Sequence, residues 1–257
     1  MTSDTQPLEL LNGSIRVITP NAENKTKRIV ERHGGGFDGL VGYVGAERIG
    51  TATVRSFLER TIEDTPGLAL DPFCRRLAAD LEAAWIAEDL QTCLWVFIAG
   101  VETSEVRFWF VVNGELAPSG YYVNVGQTFR VVNDLDMDKV PTAAQKLGVA
   151  TKAEVLARTT FFFRNGAIVP AANDLDAFEP LVQTLYFGRY PGFPPIDSID
   201  SYAAIVRVRQ EFVKRLFEKT KGVWRGEEPG PVGGDIHVYS VDLNGTVTPH
   251  HKHASGL

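Results

Sequence analysis

The chain has 257 residues, 44% of them hydrophobic and 23% charged, with 32 acidic against 26 basic residues and a formal net charge of −6. That length can bury a core without a metal or a disulfide. The acidic balance, with no lysine/arginine block, removes the footprint of a nucleic-acid or anionic-membrane binder. Cys74 and Cys93, the only cysteines, sit among apolar residues, which suits buried thiols in a reducing compartment. Residues 1–7 have neither a basic nor an apolar leader region, and the longest apolar run, near 94–99, is too short to span a bilayer. A cytoplasmic protein with no membrane or nucleic-acid partner is expected.

Residues 8–11 and 15–19 flank Asn12-Gly13, a dipeptide that accepts the positive φ angles of a tight turn, so a hairpin is expected there. A second hairpin is expected from 28–30 and 40–44, around the cluster Gly34-Gly35-Gly36-Phe37-Asp38-Gly39. Between 50 and 62, Val54, Phe57, Leu58 and Ile62 recur at helical spacing until Thr65-Pro66-Gly67 stops the segment. The next helix has Asp71 as its expected cap, Pro72 at its first position, and an apolar face of Phe73, Leu77, Leu81, Ala84 and Trp85 running to 89. Residues 92–99 and 106–112 are rich in β-branched and aromatic residues, and the first run reads as a central strand covered on both faces. Asn113-Gly114 marks a turn, and 121–125 a further strand. Strands, then two helices, then strands exclude a doubly wound sheet and predict an α+β chain with helices layered over mostly antiparallel strands.

From 126 to 158 the chain reads less regularly, with a short helix expected at 151–157. A strand follows at 159–163, and helices at 176–186 and 202–219 are separated by the Pro/Gly-rich 189–195. The last helix carries Ile205, Val208, Phe212, Leu216 and Phe217 on one face. After the loop 226–234 come a strand at 236–243, a turn at Asn244-Gly245 and a polar tail, expected to be flexible over 249–257. The repeated Asn-Asp-Leu-Asp string at 133–136 and 173–176 suits a shared helix-capping role.

The common chemical motifs fall away one by one. Gly34, Gly36 and Gly39 satisfy GxGxxG, but a strand rather than a helix follows, so a turn is expected instead of a cofactor cradle. Asp134, Asp136 and Asp138 open like a calcium loop, yet Lys139 and Gln145 stand where such a loop needs Gly and Glu. His250, His251 and His253 could hold a transition metal only adventitiously at the terminus, so no metal and no cofactor is expected. His33 and His237 are the histidines left in the body of the chain for any Ser/His/Asp or Cys/His scheme, and His237 reads as structural. Neither a G-x-S-x-G elbow, a phosphate loop nor an H-E-x-x-H helix occurs. An N-terminal nucleophile, which uses its own α-amine as base, needs none of these.

The order of elements and several local strings resemble the proteasome-type N-terminal-nucleophile (Ntn) hydrolases. Tyr43-Val44-Gly45 is similar to that family's turn before its first helix, and the helices and the strand pair through 112 follow in its order. Gly233-Gly234-Asp235-Ile236-His237-Val238-Tyr239-Ser240-Val241 resembles its late Gly-Gly loop and strand, and Leu243-Asn244-Gly245-Thr246-Val247 its closing hairpin. The resemblance covers roughly 8–125 and 159–247, and it implies a single Ntn-like domain over 1–257 with an insertion at 126–158. The implied fold is a four-layer αββα sandwich.

In active members of that family a Thr opens the first strand, an Asp follows the second strand, a Lys starts the third, and the Gly before the first helix helps bind the oxyanion. Aligning the hairpins puts the nucleophile position near Ser3, the Asp position near Thr19, the Lys position on Arg28 or Lys27, and the oxyanion N–H on Gly45; loss of Met1 alone would expose Thr2 instead, and exposing Ser3 would need further trimming. Thr19 cannot carry the missing charge, arginine is bulkier than lysine and does not act as a base near neutral pH, and Asp4-Thr5-Gln6-Pro7 is a polar, proline-broken stretch. The resemblance therefore implies a member degenerate in its catalytic positions, acting as an oligomeric or scaffold protein through self-association. The alternatives are an active amidohydrolase or threonine peptidase on a peptide or amide substrate, and a small-molecule binding protein with pocket loops at 189–195 and 226–234.

Overall fold

The computed structural model describes residues 28–103, 105–116, 122–133, 236–242 and 244–250, the strand backbones 2–4, 8–11 and 14–17, and residues 145, 148, 151, 198–200, 203–204, 207, 211 and 215. In chain order the strands are β1 (Thr2–Asp4), β2 (Leu8–Leu11), β3 (Ser14–Val17), β4 (Ile29–Arg32), β5 (Asp38–Gly45), β6 (Arg48–Ile49) and β7 (Ala52–Thr53). Helices α1 (Val54–Asp64) and α2 (Leu70–Ala87) follow. Then come β8 (Leu94–Glu102), β9 (Glu105–Val112), β10 (Glu115–Leu116), β11 (Tyr122–Val123), β12 (Arg130–Asn133), β13 (Ile236–Val241) and β14 (Val247–Pro249).

The main sheet has five antiparallel strands in the order β12-β9-β8-β5-β4, so strands that follow one another in the chain lie side by side, with α1 and α2 inserted between β5 and β8. β8 is central, as its apolar run predicts. Strand periodicity sends alternate residues to opposite faces. Val41, Tyr43, Leu94, Val96, Ile98 and Val111 face the helices and pack with Leu58, Phe73, Leu77, Leu81 and Trp85. Each such side chain contributes about 1.5–3 kcal/mol on burial. Trp85 meets Phe129 edge-on at 5.1 Å and donates from Nε1 to the Thr92 carbonyl at 3.1 Å.

Both helices start later or differently than the sequence pattern predicts. Residues 48–53 fold back as the β6–β7 hairpin over Gly50, whose φ of +57° suits glycine, so α1 begins at Val54 under a cap in which Thr53 accepts from the Ser56 N–H. In α2 Asp71 is not the cap: it lies in the first turn and accepts from Arg75 at 2.9 Å, while the Leu70 N–H donates to Glu102 at 3.3 Å. The helix ends at Ala87 rather than 89.

The glycine cluster is a turn pressed against the α1–α2 connection. A Cβ on Gly35 would lie 1.6 Å from the Pro66 carbonyl oxygen, and one on Gly36 would lie 1.8 Å from that of Leu68. Beneath it Arg32, 1% exposed, donates from Nη2 to the carbonyls of Thr65 (2.8 Å) and Leu68 (3.0 Å), with its guanidinium 4.3 Å and 4.5 Å from the Phe37 and Phe73 ring centres. It thereby satisfies carbonyls at the end of α1 and just beyond it that the helix leaves unpaired.

A second antiparallel sheet, β1-β13-β14, carries Tyr239 and Val247 onto Ile29 and Leu40 on the other face of the main sheet. The approach is close: a Cβ on Gly245 would lie 2.6 Å from the Asp38 carboxylate. β2 and β3 form the predicted hairpin, in register from Leu8↔Val17 to Leu11↔Ser14. The segment expected as an insertion opens with core structure, since Phe129 is 7% exposed and β12 is an edge strand of the main sheet. Pro249, expected in the flexible tail, pairs with Tyr239. The elements expected at 151–157, 159–163 and 176–186 and the loops 189–195 and 226–234 lie outside the described residues, as do 251–257 and the acidic run 134–138. Within the expected helix 202–219, Ala203, Ala204, Arg207, Glu211 and Arg215 are helical.

The described residues are thus a mixed α+β arrangement with antiparallel sheets. Among them no helix is long and apolar enough to cross a membrane. Cys74 and Cys93 are free; burial raises both thiols, Cys93 to about 11.

Candidate functional site

Two of the five residues singled out by sequence share one corner of the main sheet. Arg28 immediately precedes β4, and its carbonyl accepts from the Tyr43 N–H at 3.2 Å. Gly45 closes β5 at φ +106°, and a Cβ there would lie 2.1 Å from the Cys93 carbonyl oxygen, so both backbone angle and space require glycine. The Ala46 N–H donates toward β8, to Cys93 at 2.8 Å.

The charge at this corner is already engaged. The Arg28 guanidinium forms an ion pair with Glu47 Oε1, and the Tyr43 hydroxyl donates to Glu47 Oε2 at 3.3 Å. Burial, followed by the Glu47 carboxylate, raises the Tyr43 phenol above its ordinary range. Chemically the corner offers a neutralised cation near the glycine, with Glu47 occupied by two partners. Glu47 and Tyr43 were missed by sequence reasoning. Tyr43 was visible only as part of the turn string, and nothing in the local sequence ties Glu47 to a cation nineteen residues earlier.

Thr2 and Ser3 lie in β1, where they stand opposite Val238 and His237 of β13, in the second sheet rather than the main one. Lys27 and Thr19 lie outside the described residues. The Gly34 N–H donates to Asp38 at 2.7 Å within the turn, and β5 follows it, not a helix. His33 is an exposed neighbour of Glu31 at 3.5 Å, and His237 pairs across the ladder with Ser3. Among the described residues no three His, Cys, Asp or Glu side chains gather as metal ligands. No family model, curated protein or solved structure matches the chain.

Proposed function

We propose that the chain is a proteasome-subunit-like protein of the Ntn-hydrolase fold, altered at the catalytic positions and working as an oligomeric or scaffold protein. The observation that carries this reading is the Arg28–Glu47 pair beside Gly45. The resemblance puts a lysine at this point in active members, available to support a nucleophile. Here a guanidinium stands in its place, cannot serve as a base near neutral pH and has its charge taken up by a carboxylate. The order β4, β5, α1, α2, β8, β9, β12 in one helix-covered sheet supports the fold, as does a second sheet joining β1 to β13 and β14 on the opposite face.

The test is intact-mass analysis after incubation with a peptide epoxyketone, which forms a ring adduct only with an N-terminal Thr or Ser carrying a free α-amine, together with light scattering for mass in solution. The reading expects no adduct and a mass of several chains. An adduct on Thr2 or Ser3 would replace it with an active amide hydrolase, and a strictly monomeric mass would remove the assembly role.

A further inference from the structure

We propose that Ser240, His250 and Asp200 form a serine-based acyl-transfer site for small carboxylic esters, on the face of the β13–β14 hairpin turned away from the main sheet. In that hairpin Ser240 pairs with Thr248 and Tyr239 with Pro249, and the His250 N–H continues the ladder by donating to the Val238 carbonyl at 2.9 Å. Ser240 and His250 are therefore diagonal neighbours on one face, opposite to the face that presents Tyr239 to Ile29 and Leu40. Ser240 Oγ lies 2.8 Å from His250 Nε2, and His250 Nδ1 lies 3.5 Å from Asp200 Oδ1. Arg207 holds the same residue by its backbone, donating to the His250 carbonyl. Nucleophile, base and orienting carboxylate thus stand in the order that acyl-transfer chemistry requires, on residues brought together from three places in the chain.

The environment suits the roles. The imidazole is 15% exposed, and burial, opposed by Asp200 and assisted by the charges of the N-terminal amine and Arg207, lowers its pKa. It is then neutral at physiological pH, with Nδ1–H toward the carboxylate and the Nε2 lone pair toward the serine hydroxyl. Ser240 Oγ bonds to the ester carbonyl carbon as Nε2 takes the hydroxyl proton, and the same proton passes to the alkoxide as its C–O bond breaks. Water then attacks the acyl-serine, giving up a proton through Nε2, which releases the acid and restores Ser240. The Asp200 side chain is 80% exposed, so it supports the imidazolium through water-like dielectric. That limits the site to esters, whose alkoxides leave more readily than amines. Its chemical steps use neither the N-terminal residues nor the corner at Gly45.

The experiment is labelling of the full chain with a small alkyl fluorophosphonate, mapped by peptide mass, together with turnover of p-nitrophenyl acetate. One adduct is expected, on Ser240. Ser240→Ala should abolish it, and His250→Gln should slow labelling and turnover by about 100-fold or more. Asp200→Asn, on an exposed side chain that leaves the fold intact, should lower kcat about five-fold with KM unchanged, and Asp200→Glu should restore it. Absence of an adduct on the folded wild-type chain, an adduct elsewhere, or labelling of Ser240 that His250→Gln leaves unchanged would each overturn the proposal. A fluorophosphonate maps to Ser240 and an epoxyketone to the N-terminal residue, so the two readings fail separately.

Discussion

On the helix-covered face of the main sheet Leu94, Val96 and Ile98 are fully buried under Leu77, Leu81 and Trp85, whereas the opposite face sets Trp95 and Phe97 half-buried around Phe110 and takes its cover at Ile29 and Leu40 from Tyr239 and Val247. The first face is assembled from neighbours in sequence: α1 and α2 follow β4 and β5 and precede β8, β9 and β12, the strands of the sheet they cover, so closing those contacts costs little loop entropy. The second face waits for β13 and β14 from the far end of the chain. The stable core of this protein is therefore local, and its second sheet is a long-range addition resting on a smaller apolar contact.

The comparison breaks if both faces respond alike to truncation. Trp85→Ala is expected to cost about 4 kcal/mol, and Tyr239→Ala about half of that, because Trp85 loses a fully packed site together with its bond to Thr92. Urea unfolding followed by circular dichroism would show the difference, and equal losses would contradict a predominantly local core.

Arg32→Ala is expected to cost about 3 kcal/mol, since it takes the guanidinium from the Leu68 carbonyl and leaves the Thr65 carbonyl only the 3.3 Å bond from the Leu68 N–H. Arg32→Lys should recover little, because an ammonium gives up the second guanidinium contact, from Nη1 to the Thr65 hydroxyl at 3.4 Å, and the guanidinium's place over the Phe37 and Phe73 rings. Recovery by lysine in the same unfolding assay would show that charge, not shape, holds the connection between the helices.

Gly36→Ala should lose about 2 kcal/mol, as its Cβ must displace the Leu68 backbone, while Gly34→Ala should lose about 1 kcal/mol from its positive φ alone. Melting temperatures of the two variants would rank them, and the reverse order would mean that the turn moves freely over the helix connection.

The pH-dependent effects separate the two faces again. His250, on the second sheet, has a lowered folded pKa, so its unfolded form binds more protons; stability should fall as pH drops through 6.5 and level off once the folded form is protonated too. Cys93, at the edge of the local core, is raised from 9.0 to about 11, so its contribution is present below 9 and is lost as pH rises toward 11. Unfolding midpoints across both ranges would check the two signs. At pH 8 Cys74 and Cys93 should react with a disulfide reagent only slowly until denaturant is added.

Reading the sequence located the elements of the local core well where chemistry is local. Asn12-Gly13 marked a hairpin, the spacing of Phe73, Leu77, Leu81 and Trp85 marked the buried stripe of α2, and the run at 92–99 marked the central strand. It misjudged places where a distant group replaces a local signal. Asp71 looks like a cap, yet Glu102 from β8 holds the first N–H of α2. The segment 126–158 looks like an insertion, yet in its first residues β12 finds its hydrogen-bonding partners on β9 and Phe129 its packing partner in Trp85.

The candidate sites divide in the same way. Gly45 was legible because a positive φ and a close approach to Cys93 leave a mark on residue type. The neutralisation of Arg28 by Glu47 and the bond between Ser240 and His250 left none, because an ion pair or a hydroxyl–imidazole contact constrains distance in space and not spacing along the chain. His250 illustrates this most sharply: by sequence it belongs to a polar tail, while the ladder to Val238, Arg207 and Asp200 hold it in place. By itself the sequence determined the α+β class, the glycine turns and the apolar faces, since these follow from backbone freedom and periodicity. Only the tertiary structure decided which charges meet and which hydroxyl has a base beside it, because those depend on where strands from opposite ends of the chain come to lie.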